Sequence, residues 1–368
     1  MRGGWWLLNI LVVRLRLIGD VVLTTPLLRA LRRRYPESRL TYLVEPTAAP
    51  IVCNNPHLSS VIVAPKDRGL SRLRRDYALG RALRRAKFDV VIDLHGGPRA
   101  AWFTCASGAP MRIGYDITGR TWIYTHVVRR SPDEAPRHAV VNQWDLLAPL
   151  GVGPPDPTVD SLEMAEDAAA TRRVSDRLAA AGITDAHALV VIHVSAGNVF
   201  RRWPRESFEA LVATLARRDP SRRIVLTSGP SDARAARAIA DAARMDLGPL
   251  AAAVTEIGEF DLADLHALIG HASMYIGGDS GPLHVAATTR TPIVALFGPT
   301  LPERSMPWRD PRWPAEAVDA GPLPCRPCRQ RVCEPGDFRC LTRISVEAVA
   351  GAVERAMGAA DAPREQAQ

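Results

Sequence analysis

A chain of 368 residues, 47% hydrophobic and 23% charged, has the composition of an ordinary globular protein of about two domains, which excludes a disordered, collagen-like or disulfide-scaffold chain. The net charge of +8 is unevenly spread: residues 1–150 hold 23 Lys and Arg against 11 Asp and Glu, a balance of +12, and residues 151–368 hold 24 against 28, a balance of −4. All the basic residues except Lys66 and Lys87 are arginines, which fits a solvated surface shaped by base composition and equally an anionic partner for the first half.

The apolar start, Met1 to Val13, resembles a signal peptide, but Arg14-Leu15-Arg16 interrupts it and no small-residue cleavage site follows. It is also far short of the roughly 20 residues that span a bilayer. It reads as a buried first strand, Asn9–Val13, in a soluble or peripheral protein of the cytoplasm.

The spacing then predicts a helix over Val21–Arg34, with leucines inward and Arg29, Arg32, Arg33 and Arg34 outward, ended by Pro36. Strands follow at Leu40–Val44 and Val61–Ala64, then a basic amphipathic helix over Leu70–Arg85. An apolar strand, Val90–Leu94, runs into Asp93-Leu94-His95-Gly96-Gly97, and a helix at His138–Leu150 closes the first series. Gly151–Pro157 is rich in Gly and Pro and starts a linker, followed by a helix near Glu166–Ala181.

A second alternating series has strands at Leu189–Val194, Arg223–Thr227, Ser273–Ile276 and Ile293–Phe297. Helices are expected at Pro204–Arg217, Ala233–Arg244, Leu262–His271 and Leu283–Ala287. After Pro299 the chain reads as irregular up to a last helix, Val346–Met357, and a frayed tail. Short apolar strands alternating with helices imply parallel sheets covered on both faces. The expected fold class is therefore α/β, two Rossmann-like doubly wound domains, with ligands at the carboxyl ends of the strands and in the cleft between the domains. The expected boundaries are 1–155 and 187–345, joined by a linker and connecting helix at 156–186, with a terminal helix at 346–358 and a flexible tail at 359–368.

Three segments carry chemistry. Arg14-Leu15-Arg16-Leu17-Ile18-Gly19-Asp20-Val21-Val22 follows the first strand and places Asp20 at a helix start, as a helix cap or as a catalytic carboxylate. Gly277-Gly278-Asp279-Ser280-Gly281-Pro282-Leu283-His284 lies between a strand and a short helix, as a phosphate site or as a tight turn plus a core histidine. Ser195-Ala196-Gly197-Asn198-Val199-Phe200-Arg201-Arg202-Trp203-Pro204 offers two arginines of the geometry that suits phosphate. No G-x-G-x-x-G stands anywhere, which argues against a nicotinamide or flavin enzyme.

Together with Ala295-Leu296-Phe297-Gly298-Pro299-Thr300, these segments, in order over roughly residues 9–350, resemble the lipopolysaccharide heptosyltransferase family, glycosyltransferase family nine. The resemblance implies the GT-B fold, with a first domain that binds the acceptor and a second that binds the nucleotide sugar. It implies an ADP-L-glycero-D-manno-heptose donor and an inverting, metal-independent transfer to a lipid A–inner core acceptor at the inner face of the cytoplasmic membrane. Asp20 matches the family's general base, and Asp279, Ser280, Gly281 and His284 its donor loop. Arg201 stands where the family often has a phosphate-binding lysine, and Asp232 stands near its nucleoside carboxylate. No cofactor is required beyond the donor substrate.

The basic helix, with Arg72, Arg75 and Arg84, and the Arg29–Arg34 face are then the expected docking surfaces for phosphorylated lipid and an anionic membrane. Cys53 and Cys105 read as core residues. Cys325, Cys328, Cys333 and Cys340, in a loop over 322–341, suggest a structural zinc site, with disulfides and free thiols as the other readings. Two further functions stay open: a same-family enzyme using another nucleotide sugar for a different surface glycan, and a non-catalytic relative that binds nucleotide sugar or glycolipid. Nucleic acid is not an expected partner, because Trp102, Trp122, Trp144 and Trp203 are not interleaved with the basic helices as stacking platforms.

Overall fold

Short β-branched runs give the chain its strands, and their parallel pairing gives it two sheets. The structure, a computed structural model, describes residues 8–130, 136–328 and 330–361, so the expected tail beyond 361 and the first seven residues lie outside the described residues. The chain divides into two units, Met1–Ala165 and Glu166–Gln368, with the division inside the expected 156–186 linker.

In the first unit the strands are β1 (Asn9–Val13), β2 (Arg39–Val44), β3 (Ser60–Val63), β4 (Val90–Asp93), β5 (Met111–Tyr115) and β6 (His126–Val128). They pair in parallel in the order β3-β2-β1-β4-β5-β6. The second unit has β7 (Ala188–His193), β8 (Arg222–Thr227), β9 (Val254–Thr255), β10 (Met274–Gly278), β11 (Ile293–Phe297) and β12 (Ala315–Asp319). Their parallel order, β12-β11-β10-β7-β8-β9, is the same topology again. Helices cover both faces, so the central strands are wholly buried: Ile10 to Val13 and Val190 to Ile192 have no exposed surface.

Several expected elements change. The predicted Val21–Arg34 helix is two, Ile18–Val22 and Thr25–Arg34, because Pro26 suits only the first turn of a new helix. The stretch after Pro299 contains β12, a half-buried edge strand whose Ala-Glu-Ala-Val-Asp sequence has no continuous apolar run. The terminal helix runs on to Asp361, past the expected end at 358. Cys53 and Cys105 are exposed rather than in the core: Cys53 caps the end of the short Ala49–Val52 helix, and Cys105 lies between the buried Thr104 and Ser107 of the Pro98–Ser107 helix. No helix among the described residues is long and apolar enough to cross a membrane.

The Arg29–Arg34 face is not the open docking surface that its charge suggests. Arg29 pairs with Glu163 and donates to the Val159 carbonyl at 2.7 Å, and Arg33 reaches the buried Asp160 at 2.9 Å. Arg32 donates to the carbonyls of Pro36, Ser38 and His57. These arginines strap the 159–163 segment and the start of β2 to the Thr25–Arg34 helix.

Two buried polar knots hold the sheet layers. In the first unit Arg99, 12% exposed, donates to both oxygens of Asp76 at 2.6 and 3.0 Å and to Glu45 at 2.8 Å. It thereby ties the Gly69–Arg85 helix to the end of β2. In the second, His193 at the end of β7 contacts Thr227 of β8 at 3.1 Å through Nδ1 and Ser195 at 3.1 Å through Nε2. The Ser195 hydroxyl oxygen in turn accepts the Gly229 N–H at 2.8 Å. Burial pushes the His193 imidazole down to about 4, so it is neutral.

Replacing Arg99 with Met leaves Asp76 and Glu45 facing inward without their main counter-charge. Urea unfolding of the first unit should show a loss of about 3 kcal/mol or more, and a loss below about 1 kcal/mol would show the knot to be dispensable. His193 gives a pH dependence of known sign. The unfolded imidazole takes up a proton near its ordinary value of 6.5 while the native one resists until about pH 4. Stability is therefore full above pH 6.5 and falls between pH 6.5 and about 4, by at most about 1.4 kcal/mol per pH unit from this group. The His193→Gln variant should flatten that slope in chemical denaturation repeated across the window.

Candidate active site

In a sheet ordered 3-2-1-4-5-6, the strand order reverses between the first and fourth strands, and the loops leaving them part to open a crevice. In this chain those positions are the carboxyl ends of β1 and β4 in the first unit, and of β7 and β10 in the second.

At the first, Arg14 leaves β1 with its side chain 12% exposed, donating to the Leu94 carbonyl and pairing with Asp20 Oδ2 at 2.7 Å. Asp20 is the third residue of the Ile18–Val22 helix, and the same Oδ2 accepts the Leu17 N–H at 3.1 Å. The carboxylate thus does a capping task with one oxygen. Oδ1 takes no hydrogen bond or ion pair among the described residues, and the side chain is 39% exposed.

At the end of β4, Asp93 is fully buried. Its Oδ1 accepts the N–H groups of His95 and Gly96 at 2.9 and 2.8 Å, and Oδ2 accepts the Tyr124 hydroxyl at 2.7 Å. Burial raises the Asp93 carboxyl, opposed by these bonds. Gly96 sits at φ +67°, where a Cβ is disfavoured. The turn so fixed carries His95, whose ring burial and then Arg14 and Arg16 push down to about 4, against the pull of Asp20. A neutral imidazole therefore stands in the electrostatic reach of Asp20. His95 was legible as part of the segment after the fourth strand, but residue spacing gave it no role.

At the second switch point Asp279 is 4% exposed and follows β10. Its Oδ2 accepts the Thr300 hydroxyl at 2.6 Å and lies 3.1 Å from the Arg201 guanidinium, while Oδ1 is 3.9 Å from His284 Nε2. Arg201 also donates to the Asp279 carbonyl at 3.2 Å and, through Nε, to Gln330 Oε1 at 2.7 Å. That oxygen accepts Asn198 Nδ2 as well, at 3.1 Å. Ser280 occupies the N-cap position of the Gly281–Ala286 helix, yet its buried Oγ makes no hydrogen bond there.

The structure therefore gathers Arg201, Asp279, Ser280, Gly281 and His284 at one strand end. Asp232 is set apart on the turn after β8, where Arg202 holds it at 3.1 Å and also donates to the Ala196 carbonyl. The Arg201–Arg202 pair is split, one arginine to each neighbouring turn. Thr300, Asn198 and Gln330 complete the cluster. The first two stood in motifs without a role, and Gln330 lies 129 residues from Arg201, where no spacing pattern reaches.

The four clustered cysteines do not form the expected zinc site. All are free thiols, and among the described residues no three His, Cys, Asp or Glu side chains are grouped as a metal ion needs. The Cys328 sulfur instead accepts the Gln330 N–H at 3.2 Å, and Cys340 packs against the core of the second unit. The loop is held by Arg326, which donates to the Thr300 carbonyl and pairs with Asp319 at 3.0 Å. On the basic helix, Arg72 pairs with Asp76 at 3.6 Å and Arg75 with Asp67 at 3.2 Å, while the Arg84 guanidinium lies against Gly108.

The family model of glycosyltransferase family 9 (heptosyltransferase) matches residues 76–337. The chain is 29% identical over 324 residues to lipopolysaccharide heptosyltransferase 3 of Escherichia coli, covering 86% of this chain and 91% of that protein. The structure of a family 9 glycosyl transferase from Veillonella parvula superposes with a TM-score of 0.83 at 25% identity, over 97% of this chain and 98% of that one. The E. coli ADP-heptose LPS heptosyltransferase II gives a TM-score of 0.75 at 20% identity, over 95% and 98%. Two Rossmann-like units in one chain, so matched, are the GT-B fold. The chain belongs to glycosyltransferase family 9, the heptosyltransferase family, and is a glycosyltransferase.

Proposed function

We propose that the enzyme transfers heptose, with inversion, from ADP-heptose to an inner-core lipopolysaccharide acceptor at the cytoplasmic face of the inner membrane, with Asp20 as general base. The observation that carries the base assignment is the asymmetry of its carboxylate. Arg14 and the Leu17 N–H fix Oδ2, and Oδ1, on a side chain 39% exposed, has no partner among the described residues. In a single displacement the acceptor hydroxyl gives its proton to Asp20 as its oxygen forms the new bond to the anomeric carbon. The bond from that carbon to the donor phosphate breaks, and ADP leaves with the electron pair.

The second unit supplies the donor half. Arg201 presents a guanidinium that is 32% exposed and oriented by Asp279 and Gln330, suited to the charge that grows on the departing phosphate. The Ser280 hydroxyl and the Gly281 N–H, which has no partner within its helix, add neutral donors beside it. Asp232, on its own turn, is the carboxylate assigned to a nucleoside hydroxyl, with Arg202 setting its position. His284 supports the loop by facing Asp279. The first unit binds the acceptor. The donor identity rests on what the relatives are named for, and the acceptor class on the same ground.

The Asp20→Asn variant should fold normally, bind nucleotide sugar as before, and lose about 10²–10⁴-fold in kcat. Retention of most of its turnover would remove Asp20 from the base role. The donor is tested separately by thermal stabilisation with a panel of nucleotide sugars. ADP-heptose at 100 times its dissociation constant adds about 2.7 kcal/mol, and Arg201→Ala should weaken that effect. Stabilisation by UDP-sugars but not by ADP-heptose would replace the donor assignment.

A further inference from the structure

The Gly69–Arg85 helix has its chemistry turned inside out at its start. Its first buried residue is Asp76, held inward by Arg99, followed by Gly80 and Leu83. Every residue from Arg68 to Arg75 is exposed, so the first two turns stand clear of the sheet. On those turns and the next, large apolar side chains face solvent: Leu70 is 76% exposed, Leu73 64% and Tyr77 62%. At 100° per residue these three fall within about 60° of one another and make a single stripe.

The borders of the stripe have distinct chemistry. Arg74, Arg81 and Arg85 project within about 60° of one edge, are exposed, and make no ion pair among the described residues. Along the other edge lies Trp102, 40% exposed and packed so closely over Gly80 that a Cβ there would come within 2.6 Å of its ring. Arg72 and Arg75, on the opposite side, are the arginines already paired to Asp76 and Asp67. Three unpaired cations thus border the apolar stripe, the paired ones lie on the opposite side, and Arg84, in line with the stripe, packs its guanidinium against Gly108.

We propose that this helix seats the enzyme on an anionic lipid bilayer. Leu70, Leu73 and Tyr77 enter the boundary between headgroups and acyl chains, Trp102 lies at headgroup level, and Arg74, Arg81 and Arg85 meet the lipid phosphates. Charge complementarity selects this occupant, since an apolar stripe edged by unpaired arginines matches a surface that is apolar within and anionic at its rim. The inference rests on the reading of the acceptor as lipid-linked and goes past it by naming the inserting residues, none of which is assigned to the reaction.

The test is flotation of the full-length protein with vesicles of phosphatidylcholine alone or of phosphatidylcholine mixed with phosphatidylglycerol. The wild type should float with the mixed vesicles and not with the neutral ones. The Leu70→Ser/Leu73→Ser/Tyr77→Ser variant and the Arg74→Glu/Arg81→Glu variant should each lose about tenfold or more of that partitioning. Both should keep their circular dichroism and their turnover on a water-soluble, deacylated acceptor glycan. Mixed-vesicle binding that survives the triple serine change overturns insertion in favour of surface charge alone. A wild-type dimer in solution that the triple change dissolves overturns it in favour of a second copy of the chain. Normal flotation without turnover on a lipopolysaccharide acceptor leaves the docking surface standing and removes the lipid-linked acceptor reading instead.

Discussion

Parallel pairing of every strand is the constraint from which the chemistry of this protein follows. All carboxyl ends of a parallel sheet share one edge, and the order 3-2-1-4-5-6 leaves a single gap in that edge where successive loops turn opposite ways. The chain uses this arrangement twice. The pairing of β1 with β4 puts Arg14 and Asp20 beside the Asp93–Gly96 turn, and the pairing of β7 with β10 puts Arg201 beside Asp279. The buried carboxylates Asp93 and Asp279, which would be costly elsewhere, are tolerated there because both have partners. Asp93 has two backbone N–H groups and a tyrosine, and Asp279 has an arginine and a threonine.

The arginine surplus has a structural explanation as well as an electrostatic one. A guanidinium offers five donors in a plane, enough to satisfy several carbonyls and a carboxylate at once. Arg32 binds three loop carbonyls, Arg112 those of Ala109 and Ile123, and Arg309 those of Thr289 and Thr291. Arg222, 4% exposed at its side chain, clamps Glu354 of the terminal helix at 2.7 Å. Much of the positive charge counted in the sequence is therefore spent inside the molecule. Among the cations left without an ion pair, Arg74, Arg81 and Arg85 stand together on one exposed helix.

The strong apolar runs β1, β2, β4, β7, β8, β10 and β11 were legible from residue pattern because buried parallel strands are continuous in Val, Ile and Leu. Edge strands β6, β9 and β12, of three, two and five residues, were not, since half-exposed strands need no such run. The site motifs were legible because glycines and acids at strand ends are local signals. Their partners were not, because Tyr124 and Gln330 arrive from loops far along the chain. The ion pairs of Arg29 and Arg33 were not legible for the same reason: their carboxylates, Glu163 and Asp160, lie more than 120 residues away and only folding brings them back.

Gln330 offers one amide oxygen, and both Asn198 and Arg201 point a donor at it. Its loop is anchored in turn on the Pro299–Thr300 turn through Cys328 N–H and Arg326. The cysteine-bearing loop and the Arg201 segment are therefore a single heritable module. A graft that moves one between relatives without the other leaves the guanidinium to Asp279 alone, without the Gln330 oxygen that fixes its Nε.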